Sequence, residues 1–146
     1  MTLADILKVK GSNVYTTGPE ATLKDCVADL VRHNVGSLLV CERDVEHGER
    51  VLGIITERDI LHYCAAGKGT LAAANVADVM SAGLITASPK DSLDDAMGLL
   101  TQKRIRHLPV LVEGRLVGLV SIGDLVKAQH DRLAMENQFM KDYIQS

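Results

Sequence analysis

Apolar side chains recur at Leu23, Cys26, Val27, Leu30 and Val31, the i, i+3, i+4, i+7, i+8 spacing of one helix face. Leu93, Ala96, Met97 and Leu100 repeat the pattern. Thr22 and Ser92 stand just before these runs, each with Asp three residues on, and are expected N-caps. Two short apolar runs follow each helix: GSLLVC and RVLGII in the first case, HLPVLV and RLVGLV in the second. They read as strands. Glu113-Gly114 joins the second pair as a two-residue hairpin turn. The first pair is expected to be joined by a longer, charged, exposed loop around ERDVEHGER. A further helix is predicted from near Thr56 in one case and near Ser121 in the other.

These elements form an internal repeat. TLKDCVADLVRHNVGSLLV (residues 22–40) aligns without gaps on SLDDAMGLLTQKRIRHLPV (92–110) at an offset of 70. VYTTGP and LITASP, which read as strand starts, match at the same offset. Downstream the offset falls to 65, so GIITERDILH matches GLVSIGDLVK and the first copy carries five extra residues. The expected architecture is α/β (α+β): two pseudo-symmetric β-α-β-β-α repeats packed sheet to sheet, because neither has a large core alone. The expected boundaries are residues 1–66 for the first repeat, 67–75 for a linker, 76–130 for the second repeat and 131–146 for a helical extension. A short helix is expected around residues 76–80. In the extension, Leu133, Met140 and Ile144 form a stripe with Met135, Phe139 and Tyr143 beside it, suited either to covering its own core or to packing on a second chain.

Composition narrows the function. Of 146 residues, 47% are apolar but only one is Phe and none Trp, so the core is aliphatic and stacking platforms for single-stranded nucleic acid are scarce. Sixteen basic and 19 acidic residues give a net charge of −3 with no basic stripe, which disfavours nucleic acid. No apolar run reaches the ~18 residues of a membrane span, and the N-terminus lacks signal-peptide character. A cytoplasmic protein is expected. Cys26, Cys41 and Cys64 show neither a CxxC pair nor zinc spacing and read as small core residues.

The candidate chemistry lies in the repeated phrase. Thr56 with Asp59, and Ser121 with Asp124, are S/T-x-x-D at a helix start, which helix capping alone would produce. A strand feeding a helix also points backbone N–H groups at an anion. Gly53 and Gly118 sit inside strands, where glycine suggests close approach of some group. Arg104, Arg106 and His107 collect cationic or titratable groups at the start of a strand. No P-loop, G-x-S-x-G or His-metal motif occurs, and no nucleophile has an evident activating partner, so no enzyme is expected.

The paired G-h-h-[T/S]-x-x-D phrases, the TASP strand start and RHLPVL resemble the cystathionine-beta-synthase (CBS) domain family. Over about residues 3–130 the chain is similar to a stand-alone tandem CBS pair of the small bacterial signal-transduction type. The resemblance implies adenine-nucleotide binding in clefts between the repeats. Asp59 and Asp124 would take ribose hydroxyls, and Thr56 and Ser121 would reach phosphate. Thr16, Thr17 and Thr86 would lie against adenine, and Arg106 and His107 would hold phosphate. Gly36 and Ser37 replace those last two in the first copy, so the sites are expected to be unequal, with Arg58 a candidate cation there. The implied role is a regulatory sensor of energy or redox state responding to AMP, ATP or NAD in preference to S-adenosylmethionine, acting as a homodimer on some regulated protein. The alternative is a dimerisation or interaction scaffold with degenerate sites.

Overall fold

The computed structural model describes residues 1–11, 13–44, 46 and 48–145, the side chain of Asp44 excepted. In space the chain forms two compact units. One, here the Asp59 unit, comprises Asn13–Ile85 with Val112–Leu116. The other, the Asp124 unit, comprises Met1–Ser12, Thr86–Leu111 and Val117–Ser146.

The Asp59 unit is built on a sheet of order β1-β2-β3-β4. Its strands are β1 (Thr16–Thr17), β2 (Ser37–Asp44), β3 (Gly48–Thr56) and β4 (Ser81–Ala82). β1 runs parallel to β2, and the other pairs are antiparallel. Between β1 and β2 lies helix α2 (Leu23–His33), capped at its start by the Thr22 hydroxyl, which accepts from the Asp25 N–H at 3.1 Å. Asn34 ends it in the left-handed conformation, φ 53°. Leu23, Cys26 and Leu30 are buried with Leu38, Val40, Ile55, Ile60 and Val76 in one apolar cluster. Val31 departs from the expected face and is 76% exposed. At about 100° per residue it lies a quarter-turn beyond Leu30, outside the stripe.

Much of the segment expected to be a long loop is strand: β2 runs to Asp44 and β3 resumes at Gly48, so residues 42–44 and 48–50 lengthen the β2–β3 hairpin, while Val45 and His47 lie outside the described residues. Glu42 faces Arg50 and Arg43 faces Glu49 across the ladder. Opposite charges at paired positions favour strand pairing in a segment whose side chains are otherwise solvated.

In the Asp124 unit, helix α5 (Leu93–Lys103) is capped by Ser92, which accepts from the Asp95 N–H at 3.0 Å. Leu93, Ala96 and Leu100 are its buried face. β5 (His107–Val112) and β6 (Arg115–Ser121) form a hairpin whose turn residues Glu113 and Gly114, grouped with the Asp59 unit, both have positive φ, 51° and 78°. The expected first strand of this repeat shrinks to a single parallel bridge, Ala87 to Val110. The reason is Pro109. In the other repeat Leu39 occupies the matching position and donates its N–H to the Tyr15 carbonyl at 3.3 Å. Proline has no N–H to make that bond.

Two short helices complete the units. α1 (Leu3–Lys10) belongs to the Asp124 unit, and α4 (Val76–Val79), which follows the 3-10 turn Leu71–Ala73, to the Asp59 unit. Their starts are anchored alike. Leu3 and Ala4 donate to the carbonyls of Asp91 and Pro89 at 2.9 and 3.0 Å. Val76 and Ala77 donate to those of Ala21 and Pro19 at 2.8 and 3.0 Å. TLADIL and NVADVM are thus a further repeated block, and each docks on the repeat that does not directly follow it.

After β3 comes α3 (Glu57–Ala65), and after β6 comes α6 (Ile122–Gln145). The stripe on α6 does not cover a core of its own unit: Leu133, Met135, Phe139, Met140, Tyr143 and Ile144 are 50% to 77% exposed. Cys26 and Cys41 are buried, and burial pushes both thiols up to about 11, so they stay protonated. Cys64, expected in the core, is exposed.

Candidate functional site

The repeated phrase folds the same way in each unit. Thr56 caps α3: its hydroxyl accepts from the Asp59 N–H at 3.2 Å, and its own N–H donates to Asp59 Oδ2 at 3.0 Å. Ser121 caps α6 identically, with distances of 3.1 and 2.8 Å to Asp124. These are complete capping boxes, satisfying two helix-end donors each. The Glu57 N–H donates to the Gly36 carbonyl at 3.0 Å, and the Ile122 N–H to the Arg106 carbonyl at 2.9 Å. The first-turn N–H groups expected to face an anion are therefore largely spent on the protein's own acceptors. An anion here must be held mainly by side chains.

Both phrase glycines have a packing reason. A Cβ at Gly53 would lie 2.5 Å from the Ser81 carbonyl oxygen and 2.9 Å from Met80 Sδ. A Cβ at Gly118 would lie 2.7 and 2.8 Å from the terminal carbons of Leu7. The group that approaches each strand closely is the chain itself, through β4 and α1.

The candidate residues divide cleanly. Thr16, Thr17, Thr56, Arg58 and Asp59 lie in the Asp59 unit; Thr86, Arg106, His107, Ser121 and Asp124 lie in the Asp124 unit. In the former, Ser37 at the start of β2 pairs with Thr56 at the end of β3. Thr16 and Thr17 pair with Leu39 and Val40, one strand removed from Thr56. Thr56 and Asp59 are half-buried and Arg58 is exposed. The carboxylate of Glu57 flanks Gly36, 3.6 to 3.9 Å from where a Cβ would stand.

The Asp124 unit has a different electrostatic character. Lys10, from the last turn of α1, places its Nζ 2.6 Å from Asp124 Oδ2 and 2.5 Å from the Leu119 carbonyl. Burial tends to raise the Asp124 pKa, but the Lys10 bond and the Ser121 N–H outweigh it and hold the carboxyl below its ordinary value. His107 is half-buried. Burial, chiefly, and then the positive charges of Lys10 and Arg106 lower its pKa, against the opposing pull of Asp124. Lys10 and Ser121 thus bond Asp124, and His107 feels Lys10, Asp124 and Arg106, all within one unit. Thr86 is exposed, one residue before the Ala87 bridge. Lys10 was not among the sequence candidates. It lies 114 residues from Asp124, and only the likeness of TLADIL to NVADVM hints that α1 returns to the second repeat.

The CBS domain family model matches residues 2–66 and 76–131. The chain belongs to the CBS domain family, as a tandem pair of repeats. It is 38% identical over 99% of its length to the mitochondrial CBS domain-containing protein CBSX3 of Arabidopsis thaliana, covering 72% of that protein. A crystal structure of a CBS-domain containing protein from Agrobacterium tumefaciens superposes with a TM-score of 0.78 at 33% identity, over 88% of this chain and 99% of the other. The CBS domain pair of protein MJ0100, solved in complex with 5′-methylthioadenosine and S-adenosyl-L-methionine, shares the fold at a TM-score of 0.74 and 23% identity, over 90% and 98%. Among the described residues no helix is long and apolar enough to cross a membrane.

Proposed function

We propose that this chain is a non-catalytic regulatory module that binds an adenine nucleotide of the AMP, ATP or NAD type and reports energy or redox state. The observation that carries this reading is the hydroxyl–carboxylate box at the strand-to-helix junction of each unit, joined in the Asp124 unit by Lys10, Arg106 and His107. A carboxylate accepting ribose hydroxyls makes charge-assisted hydrogen bonds, and the three basic groups suit a phosphate. That the CBS pair of MJ0100 was solved with two adenosyl compounds lends support at the level of fold. Thr16, Thr17 and Thr86 take the adenine side in this scheme, and Arg58 is the one cation of the Asp59 phrase. Titration calorimetry with AMP, ATP, NAD and S-adenosylmethionine tests it. Saturable binding of a phosphorylated member is expected, weakened by Asp124→Ala; absence of heat for all four would refute it.

The module acts as a homodimer in which α6 packs on its counterpart. Seven large apolar side chains on that helix are half exposed or more, and such patches mark interaction surfaces. Light scattering after gel filtration is expected to give twice the chain mass, falling to the single mass in Phe139→Glu/Ile144→Glu. A wild-type monomer would count instead for a surface kept for a regulated protein, the scaffold reading.

A further inference from the structure

The two phrase carboxylates differ in what they can still accept. A carboxylate offers about four lone-pair sites, two on each oxygen. Asp124 Oδ2 already takes the Ser121 N–H at 2.8 Å and the Lys10 ammonium at 2.6 Å. Among the described residues, Asp59 Oδ2 takes the Thr56 N–H, at 3.0 Å, and no lysine. A vicinal diol held bidentately needs a site on each oxygen, so Asp59 can receive one as it stands. Asp124 can do so only when Lys10 leaves.

The difference traces to one position. α1 and α4 are equivalent: Leu7 abuts Gly118 as Met80 abuts Gly53. Three residues on, α1 presents Lys10 where the segment after α4 presents Gly83, which has no side chain. The surroundings sharpen the contrast. His107 feels both members of the Lys10–Asp124 pair and its neighbour Arg106, whereas Gly36, in the Asp59 unit, is flanked by the Glu57 carboxylate.

We propose, building on the nucleotide reading, that Lys10 makes the Asp124 site selective for phosphorylated nucleotides over neutral nucleosides. The ligand's ribose takes Asp124 as Lys10 moves to its phosphate. A nucleoside offers the displaced ammonium no acceptor and leaves Lys10 competing for the carboxylate. The Asp59 site, with no such competitor, does not discriminate in this way.

The test isolates the Asp124 site in the full-length chain with Asp59→Asn, and compares AMP with adenosine by titration calorimetry, with and without Lys10→Met. In Asp59→Asn, AMP is expected to bind at least tenfold tighter than adenosine. Adding Lys10→Met is expected to shrink that ratio below about threefold, with AMP weakened and adenosine gaining. Lys10→Gln replaces Lys10→Met if melting curves show that the latter does not fold. An unchanged ratio after loss of the lysine, or equal affinities before it, overturns the proposal. So does loss of AMP binding in Asp59→Asn when the wild type binds AMP, an outcome that leaves the nucleotide reading standing. Absence of AMP and adenosine binding to the wild type removes both.

Discussion

Gly53→Ala puts a single methyl group where the chain has no room. The added carbon would stand 2.5 Å from the Ser81 carbonyl oxygen and 2.9 Å from Met80 Sδ. The Met80 side chain can turn aside, but the Ser81 backbone is fixed on two sides. β4 pairs with β3 at Gly53–Ala82 and Ile54–Ser81. Upstream, the N–H of Val76 is held by the Ala21 carbonyl at 2.8 Å. Relief therefore requires β4 to lift from the sheet. Overpacking costs about 1–3 kcal/mol, and each weakened ladder hydrogen bond adds about 1 kcal/mol, so a loss of roughly 3 kcal/mol is expected. For a chain of this size that is a fall in Tm of about 6–12 °C. Gly118→Ala meets only the flexible end of Leu7, at 2.7 and 2.8 Å, and should cost about 1 kcal/mol. Urea denaturation of both variants, read by circular dichroism, decides the matter. A Gly53→Ala protein within about 0.5 kcal/mol of wild type, or one more stable than Gly118→Ala, would refute the claim that the phrase glycines serve close packing of the chain.

Two pH dependences follow from the Asp124 unit. Asp124 has its folded pKa held down by Lys10, so its contribution is present above the unfolded carboxylate pKa of about 3.9 and is lost as pH falls through the folded value. The stability gap between wild type and Asp124→Asn should be full at pH 6–7 and close in acid melts; a gap that persists unchanged at pH 3 would contradict the pairing. His107 has its folded pKa lowered by burial and by Lys10 and Arg106. The unfolded chain therefore takes up a proton near pH 6.5 that the folded chain resists, and stability should fall as pH drops below about 6.5. His107→Gln should flatten that limb of the profile, and a variant profile parallel to wild type would show that the histidine does not contribute.

Much of this molecule can be read along the chain, because its repeats write each element twice. Thr22 and Ser92 cap helices as their spacing implies, and Thr56–Asp59 and Ser121–Asp124 close into full capping boxes. What escaped reading depends on distance or on single atoms. The short helix expected around residues 76–80 forms as α4 (Val76–Val79), but α1, at eight residues, is too short for periodicity to define a buried face, and it docks in the unit of the second repeat, far from the residues that follow it. The loss of a strand at Ala87 turns on one missing N–H, that of Pro109. Glu42, Arg43, Glu49 and Arg50 read as part of a charged loop, yet their charges alternate so as to pair across the β2–β3 ladder. Glycine inside a strand signals a close neighbour at Gly53 and Gly118, and that neighbour is Ser81 and Leu7 respectively. Lys10 carries no local signature at all; its meaning arises only when the fold returns α1 to Asp124.

The most direct test of the nucleotide reading is thermal melting of the wild type with millimolar AMP, alongside Asp59→Ala/Asp124→Ala. A ligand that binds only the folded chain adds about 2.7 kcal/mol at a hundredfold excess over Kd, a rise in Tm of about 5–10 °C at this size. The account predicts such a rise in the wild type and its loss in the double variant. An unchanged Tm with AMP, and equally with ATP and NAD, would contradict it.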